Sequence, residues 1–195
     1  MKRIGFVLTA LVMTLCLTVS VSAERGLNYV TDDAGVLTED EVNRLETEAE
    51  RISQEYDCDV YIITLDDYTE YSDWDVRQCA EDIYTDYDLG FGDNRDGELL
   101  LLSMSDRDYA LIAHGDFGNY TFTDHGKDVL SETFLDNFAD DDWCGGFEDY
   151  LTESEKFLER AKEGNPIDIG SDDSELPVAA KLAITLLVPC LIAFI

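Results

Sequence analysis

The sequence predicts an α/β protein: a single three-layer α/β/α sandwich around a mixed, mostly parallel sheet. Amphipathic helical patterns alternate with short strand-like runs, and two further strand-like runs follow each other closely. A strand, a crossover helix and another strand favour parallel pairing. A short polar connection between strands favours an antiparallel hairpin instead. Helices should then cover both faces of the sheet, as in other α/β proteins.

The helices are predicted from capping residues followed by apolar residues at helical spacing. Thr38 and Glu41 form a capping box, and the apolar residues after them predict a helix over 38–56. Three further helices are predicted: one over 76–87, one that begins at Thr123 or Asp124, and one from about 147 to 161.

The strands are predicted from runs rich in β-branched and aromatic residues. The run Asp59–Leu65 is apolar on both faces, which places it in the sheet interior. Two more runs, 98–104 and 109–114, are separated by four polar residues that suit a hairpin. In such sheets ligands bind in the crevice beyond the strand ends, where loops meet.

Residues 1–23 have the pattern of a secretory signal peptide. Lys2 and Arg3 precede an apolar block, and small residues ending at Ala23 predict cleavage before Glu24. An uncleaved membrane anchor is the alternative. Because Leu15 rather than a small residue precedes Cys16, lipidation is not expected.

The rest of the chain divides into a domain, a linker and a tail. Residues 24–163 suit one domain, and residues 164–176 form an acidic linker without periodicity. Residues 177–195 form an apolar tail in which Lys181 is the only charge. The tail is expected to be a truncated transmembrane anchor, although docking onto the chain's own domain is the alternative.

The composition is strongly acidic, with 13 Lys and Arg residues against 44 Asp and Glu residues and a net charge of −31. Removal of residues 1–23 would take away two positive charges and no negative ones, which changes −31 to −33. Such a surface repels phosphate backbones and therefore excludes nucleic-acid binding. It attracts divalent cations and basic partners. Because 45% of the residues are hydrophobic, the chain is expected to fold rather than remain disordered.

Cysteines and common enzyme motifs add few constraints. Cys58, Cys79 and Cys144 are an odd number outside the apolar ends, so they allow at most one internal disulfide. Cys79 lies on the apolar face of a predicted helix and is expected to be a reduced core residue. The sequence contains no nucleophile elbow, and His114 and His125 lack the spacing of a zinc protease site.

The segment 92–97 (GDNRDG) is similar to a calcium-binding loop, because carboxylate and amide oxygens lie close together around glycine. The EF-hand register fails, since the first and twelfth positions fall on Gly92 and Ser103, where acidic residues are required. Two interpretations remain for this segment: a calcium site of another type, with Asp93 and Asp96 as ligands, or an ordinary solvated turn.

Several motifs in one order resemble the TPM domain family, whose name joins a thylakoid-lumen protein, a photosystem II repair protein and a modulator of acetylcholine receptors. The motifs span about residues 28 to 160 and are 29–38 (YVTDDAGVLT), 89–92 (LGFG), 96–102 (DGELLLL) with Asp106 and Arg107, Gly115, and Thr123 with Asp124. The resemblance implies a single α/β/α sandwich outside the cytoplasm, often with a transmembrane anchor. It also implies an acidic cleft for calcium or another divalent ion, and for some members acid phosphatase activity.

Carried over by position, Asp32, Asp96 and Asp124 match acidic or amide positions of the family's motifs, and Asp106 with Arg107 matches the hairpin pair. The candidate metal ligands are then Asp32, Asp93, Asp96, Asp106 and Asp124. Asp96 replaces a usual Asn, and 114–120 (HGDFGNY) replaces a usual glycine-rich stretch. These acids favour cation binding but repel a phosphate ester unless a metal neutralises them.

Three functions follow from these patterns. The first is an exported, membrane-tethered module that binds a divalent cation, with calcium expected, and engages a membrane-protein or basic partner. The second is a metal-assisted phosphatase in which Asp32, Asp96 and Asp124 hold the ion, while Arg107 stabilises the phosphate charge. The candidate catalytic residues are then Asp124 and Arg107. The third is a structural domain whose acidic residues only keep it soluble.

Overall fold

The computed structural model of the protein describes residues 27–169. The predicted signal peptide and apolar tail lie outside these residues. Within 27–169, no helix has the length and apolar character needed to cross a membrane. The chain forms four strands and five α-helices there, in the order β1 Val30–Asp32, α1 Glu39–Tyr56, β2 Asp59–Leu65, α2 Val76–Asp86, β3 Gly97–Ser103, β4 Asp108–His114, α3 Asp116–Thr121, α4 Asp124–Ala139 and α5 Trp143–Lys162.

The strands form one sheet in the order β1-β2-β3-β4. Strand β2 pairs in parallel with β1 and with β3, and β3 pairs with β4 as an antiparallel hairpin. Both kinds of pairing were predicted. Every residue of β2 and β3 is buried, which agrees with the apolar character of both runs on their two faces.

Helices cover both faces of this sheet, as the predicted sandwich requires. Side chains at paired positions share a face and successive side chains alternate. On one face, Glu98 accepts a hydrogen bond from Ser154 of α5 (3.2 Å). On the other face, the ring of Tyr84 in α2 lies edge-on to Tyr61 and stacks on His114, with centroid distances of 6.2 and 4.3 Å.

Helix α1 packs against β1, β2 and α5. Thr38 forms the predicted capping box with Glu41, and Arg51 joins α1 to α5 through Glu155, with 2.7 Å between Nη2 and Oε2. The beginning of the predicted linker is also attached to the domain. Ile167 is buried, and its carbonyl oxygen accepts a hydrogen bond from the Thr123 hydroxyl (2.7 Å).

The cysteines remain free within the described residues, and Cys79 is fully buried as expected. Burial raises the pKa of the Cys79 thiol to about 11 and that of Cys144 to about 11. Both thiols are therefore protonated and weakly nucleophilic near neutral pH.

Candidate functional site

The loops that follow β1, β2 and β3 meet at the carboxyl ends of the parallel strands. The N–H of Asp33 donates to the carbonyl oxygen of Thr64 (3.1 Å). The N–H of Met104 donates to Leu65 (2.9 Å), and the N–H of Ser105 donates to Asp66 (2.8 Å). These bonds continue the sheet pairing past the strand ends, so the three loops form one continuous border. This border is the crevice position expected for ligands in an open α/β sheet.

Four carboxylates lie on this border, and we call them the acidic edge: Asp33, Asp66, Asp67 and Asp106. Asp33, Asp66 and Asp106 are exposed and Asp67 is half-buried. Within residues 27–169 none of the four forms an ion pair. Their charges are therefore uncompensated by neighbouring bases, which creates a local negative potential.

Asp67 is the member of the acidic edge whose orientation is set by its own loop. Its Oδ1 accepts hydrogen bonds from the N–H and hydroxyl of Thr69, at 2.9 and 2.7 Å. The hydrogen bonds from Thr69 lower the pKa of the Asp67 carboxyl. Asp67 is consequently ionised over the whole neutral range.

Asp32, the first predicted ligand, stabilises the β1–α1 loop behind the acidic edge. Its carboxylate accepts hydrogen bonds from the N–H groups of Val36 (3.2 Å) and Leu37 (2.9 Å), and from the hydroxyl of Thr64. These bonds fold the β1–α1 loop back onto β2. Asp32 therefore shapes the loop that carries Asp33, and most of its hydrogen-bonding capacity is used in doing so.

Asp93 and Asp96 lie at the opposite end of the sheet. Asp96 directly precedes β3, whereas Asp32 is level with Leu102 in the strand register, six residues further along. At a rise of about 3.3 Å per residue, the two ends are roughly 20 Å apart. Asp93 is exposed in a tight turn, which the N–H of Arg95 closes by donating to the carbonyl oxygen of Gly92 (3.1 Å).

The Asp96 side chain is buried, and it binds the beginning of helix α3 instead of facing solvent. Its Oδ1 accepts hydrogen bonds from the N–H groups of Phe117 (2.6 Å) and Gly118 (3.2 Å). It thereby satisfies two of the free donors at the beginning of that helix. Gly118 packs so closely on β3 that an added Cβ would lie 2.8 Å from the carbonyl oxygen of Gly97.

Asp124 and Arg107, the two candidate catalytic residues, lie apart from each other and from Asp96. The Asp124 side chain is 98% exposed at the beginning of α4, and its Oδ1 lies 3.0 Å from Nζ of Lys127. The hydrogen bond from Lys127 lowers the pKa of Asp124. Arg107 binds Asp141 (2.8 Å) and donates to the carbonyl oxygen of Phe138 (2.9 Å), so its guanidinium is turned towards the α4–α5 connection.

The five predicted ligands are therefore distributed over three regions: Asp32 and Asp106 at the carboxyl ends, Asp93 and Asp96 at the amino end of β3, and Asp124 on α4. Among residues 27–169, no group of three or more His, Cys, Asp or Glu side chains is arranged to hold a metal ion. The constellation required by the phosphatase hypothesis, with Asp32, Asp96, Asp124 and Arg107 around one substrate, is not assembled in this arrangement.

Sequence reasoning missed three members of the acidic edge, Asp33, Asp66 and Asp67. A signal was available, because Asp66 and Asp67 directly follow the apolar run of β2, and the carboxyl ends of parallel strands share one border. The same loop carries two exposed aromatic residues, Tyr71 (54% exposed) and Trp74 (81% exposed). Large exposed aromatic residues beside a charged border are typical of contact surfaces.

Solved structures of similar fold come from three bacteria. They are the N-terminal domain of a protein from P. gingivalis (16% identical, TM-score 0.60), the N-terminal domain of the cg2496 protein from Corynebacterium glutamicum (14%, 0.54), and the BA42 protein from Bizionia argentinensis (18%, 0.54). The alignments cover 72%, 70% and 72% of this chain and 87%, 84% and 91% of those chains, respectively. At these identities the likeness shows a shared fold.

No curated protein matches the sequence. The family model described as the TPM domain matches residues 30–157, which is well over half of the chain and includes every strand and four complete helices. This match agrees with the order of motifs in the sequence and with the observed α/β sandwich. The chain belongs to the TPM domain family.

Proposed function

We propose that this TPM domain is an exterior binding module whose acidic edge takes up a divalent cation, with calcium as the expected ion. The observation that carries the proposal is the convergence of three strand-end loops that present Asp33, Asp66, Asp67 and Asp106, none of which has a basic partner among residues 27–169. Carboxylate and carbonyl oxygens are the ligands that calcium prefers, and calcium tolerates irregular geometry.

The affinity is expected to be low. Since no three acidic side chains of residues 27–169 are arranged around one point, an ion would keep several water ligands. Extracellular calcium modules bind with dissociation constants of about 10⁻⁴ to 10⁻³ M. The proposed location outside the cytoplasm rests on the signal-like residues 1–23 and the apolar residues 177–195. A weak site can be occupied there, because exterior calcium is commonly on the order of millimolar.

Thermal unfolding in calcium chloride tests this proposal. With a dissociation constant of about 1 mM, 10 mM calcium should stabilise the protein by roughly 1.4 kcal/mol. The melting temperature should then rise by about 3 to 5 °C relative to sodium chloride of equal ionic strength. The triple variant Asp33→Asn/Asp66→Asn/Asp106→Asn should lose this increment.

A matched control removes the same charge elsewhere. The variant Asp86→Asn/Asp93→Asn/Asp116→Asn changes three exposed carboxylates away from the carboxyl ends, and it should keep the calcium increment. Equal loss in both triple variants would show diffuse charge screening rather than a site. No increment in the unmodified protein would refute the proposal.

The exposed aromatic residues favour a second role for the same border, contact with a basic segment of a membrane-protein partner. Trp74 and Tyr71 lie in the loop that also carries Asp66 and Asp67. An aromatic face beside carboxylates attracts Arg and Lys side chains through cation–π and ionic interactions. A fluorescent peptide rich in arginine should bind the protein, and Trp74→Ala should weaken binding about threefold to fivefold.

The control for this contact is Tyr120→Ala, which removes an exposed aromatic side chain (44% exposed) on α3. It should leave peptide binding unchanged. Equal peptide binding by the unmodified protein and Trp74→Ala would contradict a role of Trp74 in partner contact. It would not contradict calcium binding, which is measured separately.

A further inference from the structure

Strand β4 is a long, unprotected edge of the sheet. It pairs with β3 over seven consecutive residues, Asp108–His114, without a bulge, and its sequence contains no proline. The opposite edge strand, β1, has only three residues. Within residues 27–169 no strand pairs with the outer side of β4. Its outward N–H and C=O groups therefore pair with no other strand of residues 27–169, and neither a bulge nor a proline protects this edge.

A groove of about 570 Å³ runs along this edge. Its floor is formed by Tyr109, Ala110 and Leu111. Because successive side chains of a strand point to opposite faces, three consecutive lining residues show that the groove follows the strand's edge rather than one face. Helices from the two faces form its walls.

The walls carry one cation each, and we call the groove with these walls the β4 groove. Arg77 extends from α2, and its side chain is 62% exposed, with Nη2 3.8 Å from Glu81. Lys127 extends from α4, and its side chain is only 13% exposed. Asp124, its ion-pair partner, is 98% exposed and can turn into solvent without losing packing. Asp124 also lines the groove, and Asp128 and Ser131 complete the α4 wall.

We propose that the β4 groove binds an extended peptide segment of another protein, which adds a fifth strand and carries acidic side chains at two adjacent positions. Main-chain hydrogen bonds to β4 would supply affinity, and the walls would supply specificity. Adjacent residues of the added strand point to opposite faces. One acidic side chain would therefore reach Arg77 and the next would reach Lys127.

A second copy of this chain is the less favourable occupant. Each chain has a net charge of −31, and pairing of two β4 strands would bring two such charges together. An acidic peptide experiences the same overall repulsion, but it is short and its two acidic groups meet the two cations directly. The β4 groove shares no lining residue with the acidic edge, so this inference is independent of cation uptake.

The test is selection from a phage-displayed library of random nine-residue peptides on the full-length protein, followed by amide NMR with synthetic copies of the selected peptides. Selected sequences should be enriched in adjacent Asp or Glu flanked by β-branched residues. Their binding should shift the amide signals of residues 108–114 and leave those of β1 in place. Replacement of the adjacent acids by Gln or Asn should weaken binding about tenfold.

Arg77→Glu and Arg44→Glu provide a matched pair of variants. Both arginines lie on helix surfaces with similar exposure, 62% and 61% of the side chain, but Arg44 pairs with Glu148 of α5 and does not line the β4 groove. Arg77→Glu should weaken the selected peptides at least fivefold, and Arg44→Glu should leave them unchanged. Folding of both variants is checked by their NMR spectra.

Three outcomes would overturn the proposal. The first is that selected peptides leave the β4 signals in place, and the second is that Arg77→Glu and Arg44→Glu weaken binding equally. The third is that sedimentation shows a dimer whose formation protects the β4 amides from hydrogen exchange, which would assign the edge to a second copy. None of these results would alter the calcium-dependent melting temperature.

Discussion

Glu98 is a carboxyl group within the apolar core. Its side chain is completely buried between β3 and α5, and Oε2 accepts a hydrogen bond from the Ser154 hydroxyl (3.2 Å). Desolvation raises its pKa well above the ordinary value of 4.5. Glu98 is therefore protonated in the folded protein at pH values where it is ionised in the unfolded chain.

This difference makes stability depend on pH in a defined direction. Above pH 4.5 the folded state holds a proton that the unfolded state has lost, so the free energy of unfolding falls as pH rises towards the raised pKa. The contribution of one group is at most about 1.4 kcal/mol per pH unit. Glu98→Gln cannot ionise, so its advantage over the unmodified protein should grow between pH 5 and pH 8 in urea unfolding. Parallel pH profiles would show that Glu98 is ionised in the fold.

At the scale of elements, Asp96 has a structural role that the sequence did not indicate. Its position before the glycine of 96–102 suggested a metal ligand, and its contacts identify it as the residue that caps α3. Asp96→Ala should reduce the free energy of unfolding by roughly 1 to 3 kcal/mol, because one buried and one partly buried N–H group lose their acceptor.

The matched variant for this prediction is Asp93→Ala in the exposed turn three residues earlier. It should change stability by less than about 0.5 kcal/mol. Neither variant should alter the calcium-induced rise in melting temperature. A lost calcium response in Asp96→Ala, with folding intact, would restore Asp96 as a ligand.

The sequence predicts the long elements well, because each has a strong periodic or apolar signal. Helix α1 follows its capping box, and the parallel pair and hairpin have the expected order. Two short elements were missed. Strand β1 has three residues, and α3 has six residues with a glycine in the middle. In both, contacts with the rest of the fold override weak local preference.

The beginning of helix α5 is another place where contacts override weak local helix preference. It begins at Trp143, four residues before the predicted start, because Asp142 accepts a hydrogen bond from the N–H of Gly145 (3.0 Å). This first helical turn was not predicted, because it contains Gly145 and Gly146 and glycine is unfavourable in helices. The close approach of Phe138 explains Gly146, where an added Cβ would lie 2.3 Å from the Phe138 ring.

At the scale of the whole molecule, the excess of acidic residues opposes folding. A net charge of −31 on one domain produces self-repulsion that salt screens. Sodium chloride between 20 and 500 mM should therefore raise the melting temperature by several degrees. The increase should be smaller in the triple variant Asp86→Asn/Asp93→Asn/Asp116→Asn, because three charges are gone. A melting temperature that falls with salt would mean that ion pairs such as Arg51 with Glu155 outweigh the repulsion.

The location of the acidic residues, rather than their number, distinguishes a binding site from a solubilising surface. Strand order brings Asp33, Asp66, Asp67 and Asp106 to one border, and the same order separates Asp96 from Asp32. Residue types and spacing alone do not reveal this division, because the predicted strand pairing must also be used to place each loop at one end of the sheet.

Amide NMR during a calcium titration tests the acidic edge most directly. The largest shift changes should occur in the three strand-end loops, at Asp33, Asp66 to Tyr68, and Ser105 to Asp106, and they should saturate with a dissociation constant of about 1 mM. Magnesium at equal concentration should produce smaller changes, because it demands stricter geometry. Largest changes at Asp93 to Asp96 or at Asp124, or small unsaturable changes over the whole surface, would contradict the account.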